Sequence, residues 1–130
     1  MNRQAIDLQD AHVLILEDDY YLATDLQNAL EAGGAVVIGP FPDEADARRS
    51  IEASLPDCAF VDVNLGRGPS FEVPRALIRH AIPFAFVTGY DAGAIPDEFE
   101  AIPRFEKPIE TTRIVEVALR LLGNGGAVTR

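Results

Sequence analysis

Five polar residues could do chemistry together, because each one closes an apolar stretch of the chain. They are Glu17, Asp18, Asp62, Thr88 and Lys107. Carboxylates, a hydroxyl and an ammonium are the parts of a phosphoryl-transfer site, which needs a nucleophile, ligands for a divalent cation and partners for phosphoryl oxygens. Whether they meet depends on the elements that carry them.

The apolar stretches have the pattern of strands covered on both faces, which is typical of a parallel sheet. The sequence predicts strands at 12–16, 35–39, 58–62, 82–88 and 104–107. Amphipathic stretches between them predict helices, although the fourth, within 91–100, should be short or frayed. This alternation predicts an α/β fold with helices on both faces, whose ligand site lies beyond the carboxyl ends of the strands.

Several local signals set the expected ends of these elements. Pro40 should stop the second strand, and Asp43 should cap the helix that follows it. Leu55 should belong to the inner stripe of that helix, and Ser70 can cap the third helix. The last helix should run from about 109 to 122 and end at Gly123.

Composition narrows the classes of protein. The chain has 130 residues, 48% of them hydrophobic, and a net charge of −10, which argues against binding nucleic acid or an anionic membrane. Cys58 is the single cysteine, which favours a reducing cytoplasm. No apolar run reaches the ~20 residues of a membrane span. We expect a leader at 1–11, one domain at 12–122 and a loose tail at 123–130.

The acidic residues predict a magnesium site. Asp18 and Asp62 would lie at neighbouring strand ends, where carboxylates repel one another unless a hard cation separates them. Glu17, one residue back, would reach such a cation through water, and the main-chain carbonyl of Asn64 could add a ligand. Each signal alone is ordinary, since an acidic run after a strand is usually a helix N-terminal cluster.

The remaining two residues, Lys107 and Thr88, supply hydrogen-bond donors. Lys107 is the only lysine in the chain and would place an ammonium opposite the carboxylates. Thr88 offers a hydroxyl to a phosphoryl oxygen, and Gly89 lets the backbone come close. Alone, Thr88 is a β-branched strand residue and Lys107 a solvated surface lysine. Their joint placement is what indicates a site.

The sequence resembles a response-regulator receiver domain. The matching motifs are Val-Leu-Ile-Leu-Glu-Asp-Asp at 13–19, Phe-Val-Asp-Val-Asn-Leu at 60–65, Val-Thr-Gly at 87–89 and Phe-Glu-Lys-Pro at 105–108. The resemblance covers 12 to about 122. It implies a flavodoxin-like (βα)5 fold with a five-stranded parallel sheet of order 2-1-3-4-5, and a cis peptide before Pro108.

The resemblance also implies roles for residues: Asp62 as phosphoacceptor, Glu17 and Asp18 as the acidic pair, Asn64 as a carbonyl ligand of Mg²⁺, Thr88 as the switch hydroxyl and Lys107 as the site lysine. Residues 83–90 are similar to an atypical group with a Phe-X-Thr-Gly-Tyr signature, mostly stand-alone bacterial regulators that partner HWE or HisKA2 histidine kinases. The usual switch aromatic is replaced by Arg104, and Tyr90 is a candidate substitute.

These features predict a stand-alone cytoplasmic regulator of a bacterial two-component system. A histidine kinase would phosphorylate Asp62 with Mg²⁺, and the domain would signal through an unknown downstream protein or act as a phosphate relay or sink. We expect no enzymatic activity beyond slow self-dephosphorylation. The alternatives are a Mg²⁺-dependent aspartyl-phosphate phosphatase, a flavodoxin-like cofactor carrier and a receiver-like binding module that is not phosphorylated.

Overall fold

A five-stranded parallel sheet forms the centre of the molecule. The computed structural model describes residues 8–63, 70–89 and 95–127, without the side chains of 124–127. The strand order is β2-β1-β3-β4-β5, which confirms the prediction. The strands are β1 (His12–Leu16), β2 (Val36–Phe41), β3 (Cys58–Asp62), β4 (Phe84–Thr88) and β5 (Arg104–Glu106). The helices are α1 (Tyr20–Ala32), α2 (Glu44–Ala53), α3 (Glu72–Arg79) and α4 (Thr111–Ala127).

Two apolar cores cover the two faces of the sheet. On one face, residues of α1 and α4, such as Leu26 and Ile114, pack against alternate strand residues including Ile15 and Phe60. On the other face, residues of α2 and α3, such as Ile51 and Leu77, pack with the intervening strand residues. Because β1, β3 and β4 are covered on both sides, they read as continuous apolar runs in the sequence.

The second strand continues past the point where proline was expected to stop it. The prediction that Pro40 ends β2 is wrong, since the strand runs to Phe41. β2 lies at the edge of the sheet, where a missing N–H is tolerated. Its pairing with β1 shifts register between Leu14 and Leu16. Gly39 there has a φ of +104°, and a Cβ on it would lie 2.8 Å from the Phe41 nitrogen.

Helix ends were predicted with mixed success. Asp43 caps α2 as expected, by accepting from the Asp46 N–H. Leu55 is not on the inner stripe, because α2 ends at Ala53 and the Leu55 side chain is 51% exposed. α4 continues through Gly123 to Ala127. Glycine lowers helix stability by about 1 kcal/mol but does not forbid helical dihedrals.

The third helix begins differently from the prediction. Ser70 does not cap it; Phe71 stands at the N-cap position and its side chain makes no capping hydrogen bond. The Val73 N–H instead donates to Glu44 Oε2 on α2 at 3.0 Å. Pro74 lies in the first turn of α3, where its missing N–H is tolerated.

The connection between β4 and β5 carries one short helical element in its described part. It is a 3₁₀ turn, Asp97–Phe99, which fits the expectation of a short or frayed fourth helix. Phe99 is fully buried, its ring stacking on Phe71 with centroids 5.3 Å apart and meeting Phe86 edge-on at 5.7 Å. Phe99 therefore covers this part of the sheet.

Among the described residues, two peptide bonds before proline are cis. The Lys107–Pro108 bond confirms the prediction, and the Gly39–Pro40 bond was not expected. Within the described ranges, no helix combines the length and apolar character needed to cross a bilayer.

Candidate functional site

The carboxyl ends of β1, β3 and β5 bring the acidic residues and the lysine together at one edge of the sheet. β1 ends immediately before Glu17 and Asp18, and β3 ends in Asp62. These two strands pair directly, with Leu16 opposite Val61. β4 and β5 follow in the sheet, with Thr88 opposite Glu106, so Lys107 starts from the same edge. The parallel register thus gathers side chains that are up to 90 residues apart in the sequence.

Lys107 lies between two buried carboxylates. Its Nζ is 3.2 Å from Glu17 Oε2 and 3.3 Å from Asp62 Oδ1. Its backbone is fixed as well, because the Lys107 N–H donates to the Thr88 carbonyl at 2.7 Å. Burial acts to lower the pKa of Lys107, but Glu17 and Asp62 overcome this, and the net shift is upward. The ammonium is therefore held charged in the site.

Glu17 is a buried acid of the site with a raised pKa. Its side chain is 1% exposed, and burial together with the charge of Asp62 raises its pKa to about 7. The carboxylate is held in place by the Asp19 N–H, which donates to Oε2 at 3.0 Å. No hydrogen-bond partner from the described part of the chain reaches its buried Oε1. A cation bound beside Glu17 would stabilise the ionised form of this carboxyl group.

The acidic residues fit a divalent cation. Glu17, Asp18 and Asp62 each present a carboxylate oxygen, and these oxygens lie within 4.8 Å of one another. Glu17 and Asp62 are buried, whereas Asp18 is exposed. A buried pair with a third, solvent-facing carboxylate suits Mg²⁺, which takes one or two carboxylates and keeps several waters. The donor set and the raised pKa of Glu17 both agree with such an ion.

Thr88 lies at the neighbouring strand end and is buried. Its hydroxyl faces β5, where Oγ1 is 3.5 Å from the Phe105 carbonyl oxygen, at the long limit of a hydrogen bond. A bond of that length costs little to exchange for another acceptor. Phe105 itself packs against the core, and the Arg113 guanidinium lies 5.1 Å from its ring centroid.

Two predicted residues, Asn64 and Tyr90, lie outside the described residues, and their roles stay predictions. One contributor was missed in the sequence. Asp19 caps α1 by accepting from the Tyr21 and Leu22 N–H groups, while its own N–H holds Glu17. An aspartate immediately before a helix is an N-cap signal, so the position was readable from the sequence.

A parallel sheet of order 2-1-3-4-5, with an acidic cluster and a lysine at its carboxyl edge, defines the receiver class of domain. No family model matches the chain. It is 29% identical over 112 residues to an uncharacterized response regulatory protein of Vibrio cholerae, covering 84% of this chain and 47% of that protein. It is 32% identical over 108 residues to the sensory transduction protein LytT of Bacillus cereus, covering 80% and 44%.

A solved structure agrees with these relatives over the whole fold. The solution structure of SdrG from Sphingomonas melonis Fr1 superposes with a TM-score of 0.69 at 32% identity, covering 86% of this chain and 95% of that one. The chain belongs to the response-regulator receiver family. It spans about half the length of the curated relatives it matches.

Proposed function

We propose that this chain is a phosphorylation switch in which Asp62 accepts a phosphoryl group from a histidine kinase with Mg²⁺. The observation that supports this most is the pairing of Lys107 with both Glu17 and Asp62 at the edge of the sheet. This arrangement places the Lys107 ammonium next to Asp62, where a phosphoryl group would add negative charge. Family membership supports the histidine kinase as donor.

The chemistry follows from the groups present. An Asp62 carboxylate oxygen attacks phosphorus, the bond from phosphorus to the kinase histidine nitrogen breaks, and an aspartyl phosphate forms while the imidazole leaves. Lys107 offsets charge on the phosphoryl oxygens. Bound Mg²⁺ would supply further charge neutralisation, held by the carboxylates of Glu17, Asp18 and Asp62 and by the Asn64 carbonyl. Thr88 exchanges its long bond to Phe105 for a phosphoryl oxygen.

The wider role rests on the resemblance of residues 83–90 to the Phe-X-Thr-Gly-Tyr group. In this proposal the chain is a stand-alone bacterial regulator acting in the cytoplasm with an HWE or HisKA2 kinase. It passes the signal on through protein contacts, or serves as a phosphate relay or sink. It turns over no substrate beyond slow loss of its own phosphoryl group.

Phosphotransfer from the histidine kinases of the source organism tests the proposal. Asp62→Asn should abolish labelling, whereas Asp57→Asn should label as the wild type does. Asp57 is the matched control because it lies before β3 and binds the His12 N–H at 2.7 Å, at the other end of the sheet. Equal labelling of the wild type and Asp62→Asn would refute the assignment. Multiple turnovers on small phosphate esters would instead support the phosphatase alternative.

A further inference from the structure

Three arginines converge on one groove between α2 and α3. Arg48 comes from α2, Arg75 and Arg79 come from α3, and together with Glu72 they line a cavity of about 160 Å³. Arg75 and Arg79 are four residues apart and therefore lie on the same face of their helix, a spacing at which like charges lower helix stability. The chain has 21 acidic and 11 basic side chains, so this concentration of positive charge is a local exception to its net charge of −10.

Two of the three guanidinium groups already hold carboxylates of the chain itself. Arg48 Nη1 lies 2.7 Å from Glu72 Oε1. Arg75 binds Glu98 with two nitrogens, Nη2 at 2.7 Å from Oε2 and Nε at 3.3 Å from Oε1, which is the forked geometry that guanidinium groups make with carboxylates. All four side chains are about half exposed, so these pairs are weak and open to solvent. The groove therefore has the geometry to bind carboxylates at its surface.

Arg79 is the third guanidinium group of the groove. It is exposed, and no carboxylate of the described residues lies within ion-pair distance of it. Alone, an arginine in the last turn of a helix is ordinary, because it offsets the negative end of the helix dipole. Here, however, three arginines face two acids, Glu72 and Glu98, which leaves one positive charge in the groove.

We propose that the groove lined by Arg48, Arg75 and Arg79 is a docking site for a glutamate or aspartate side chain of an acidic partner protein. The cavity of about 160 Å³ is smaller than the ~300–1,000 Å³ of pockets that enclose a small molecule, so a single side chain is the occupant that fits. The net charge of −10 disfavours an acidic partner in general, so a local positive groove would orient that partner onto this face. This inference goes beyond the proposed phosphorylation and does not depend on it.

Titration of the full chain with an acetylated and amidated Gly-Glu-Glu-Glu-Gly peptide, followed by NMR of the arginine Nε–H groups, tests the proposal. The signals of Arg48, Arg75 and Arg79 should shift to saturation, and added NaCl should weaken the binding. The same peptide with glutamine in place of glutamate should leave these signals unmoved. Equal shifts with the glutamine peptide would overturn the proposal. Inorganic phosphate that shifts the three signals when the glutamate peptide does not would also overturn it, in favour of a phosphate site.

Two variants with opposite expected effects locate the binding. Arg79→Gln should raise the dissociation constant of the glutamate peptide about threefold, since one exposed charge pair is lost. Glu72→Gln should lower it by a similar factor, because Arg48 then has no carboxylate partner in the groove and can bind the peptide. Arg120→Gln is the matched control, since it removes an exposed arginine from α4, on the opposite face of the sheet, and should bind as the wild type does. Unchanged binding by Arg79→Gln, or an equal weakening in Arg120→Gln, would exclude the groove as the docking site.

Discussion

Replacing Glu17 by glutamine should stabilise the metal-free protein at high pH. The pKa of Glu17 is raised from its ordinary 4.5 to about 7, first by burial and then by the charge of Asp62. At about 1.4 kcal/mol per tenfold change in a protonation equilibrium, the ionised carboxylate therefore costs the folded state about 3 kcal/mol at pH 8. Glutamine has nearly the same shape and avoids this cost, although it also gives up the ion pair with Lys107.

The pH dependence of the stability follows from the direction of the Glu17 pKa shift. Because the folded-state pKa of Glu17 is raised, the folded protein binds more protons than the unfolded chain between pH 4.5 and about 7. Stability from this group is full below pH 4.5 and is lost as the pH rises through about 7. The free energy of unfolding of Glu17→Gln should exceed that of the wild type by about 3 kcal/mol at pH 8 and by about 1 kcal/mol at pH 5.

Denaturant unfolding in the presence of a chelator, at both pH values, measures the difference. Glu52→Gln is the control, since Glu52 is exposed on α2 and its replacement should change stability by less than about 0.5 kcal/mol. Added Mg²⁺ should stabilise the wild type more than Glu17→Gln. The reasoning is refuted if Glu17→Gln is less stable than the wild type at pH 8, because the ion pair with Lys107 would then outweigh the burial of charge.

Three further predictions concern other parts of the site and fold. Lys107→Met leaves two buried carboxylates without their shared ammonium and should lower the free energy of unfolding by about 2 kcal/mol at pH 8, with an unchanged value contradicting the ion-pair role. Phe99→Ala should cost about 3–5 kcal/mol, because the ring is fully buried, whereas Ala at the half-exposed Ile78 should cost much less; similar losses in the two variants would contradict the role of Phe99. Thr88→Ala should still be phosphorylated, but its amide NMR spectrum should change less on phosphorylation than that of the wild type, and identical changes would exclude the switch role.

The sequence was most informative where a pattern is local and repeated. Apolar runs that end in Asp62, Thr88 and the residues before Glu17 predicted both the strands and the edge where their side chains meet. The edge position of β2 depends on which strands pair, which local patterns do not encode. For that reason Pro40 was misread as a strand end.

Contacts between elements that are distant in the sequence were also not predicted. Glu44 has the same local signature as any acidic residue in the first turn of a helix, and its bond to the Val73 N–H becomes visible only once α2 and α3 are packed together. Ser70 was predicted to cap α3 because serine is a common N-cap residue close in sequence, but the Val73 N–H donates to Glu44. The prediction for Leu55 was wrong for a related reason. Leu55 continues the helical spacing of apolar residues, but α2 ends at Ala53, before that position is reached.

The short 3₁₀ turn between β4 and β5 has a consequence for how the sequence can vary. A full helix spreads the covering of a sheet over a stripe of several side chains, so that changes at one can be compensated by the others. In the described part of this connection, Phe99 is the fully buried side chain. A saturation mutagenesis scan of 95–102 should therefore show its sharpest intolerance at Phe99, a weaker one at Ile95, which also packs in this core, and broad tolerance at the exposed positions between them. Sequence change in this segment is then limited mainly by one ring, where a full helix would spread the limit over several side chains.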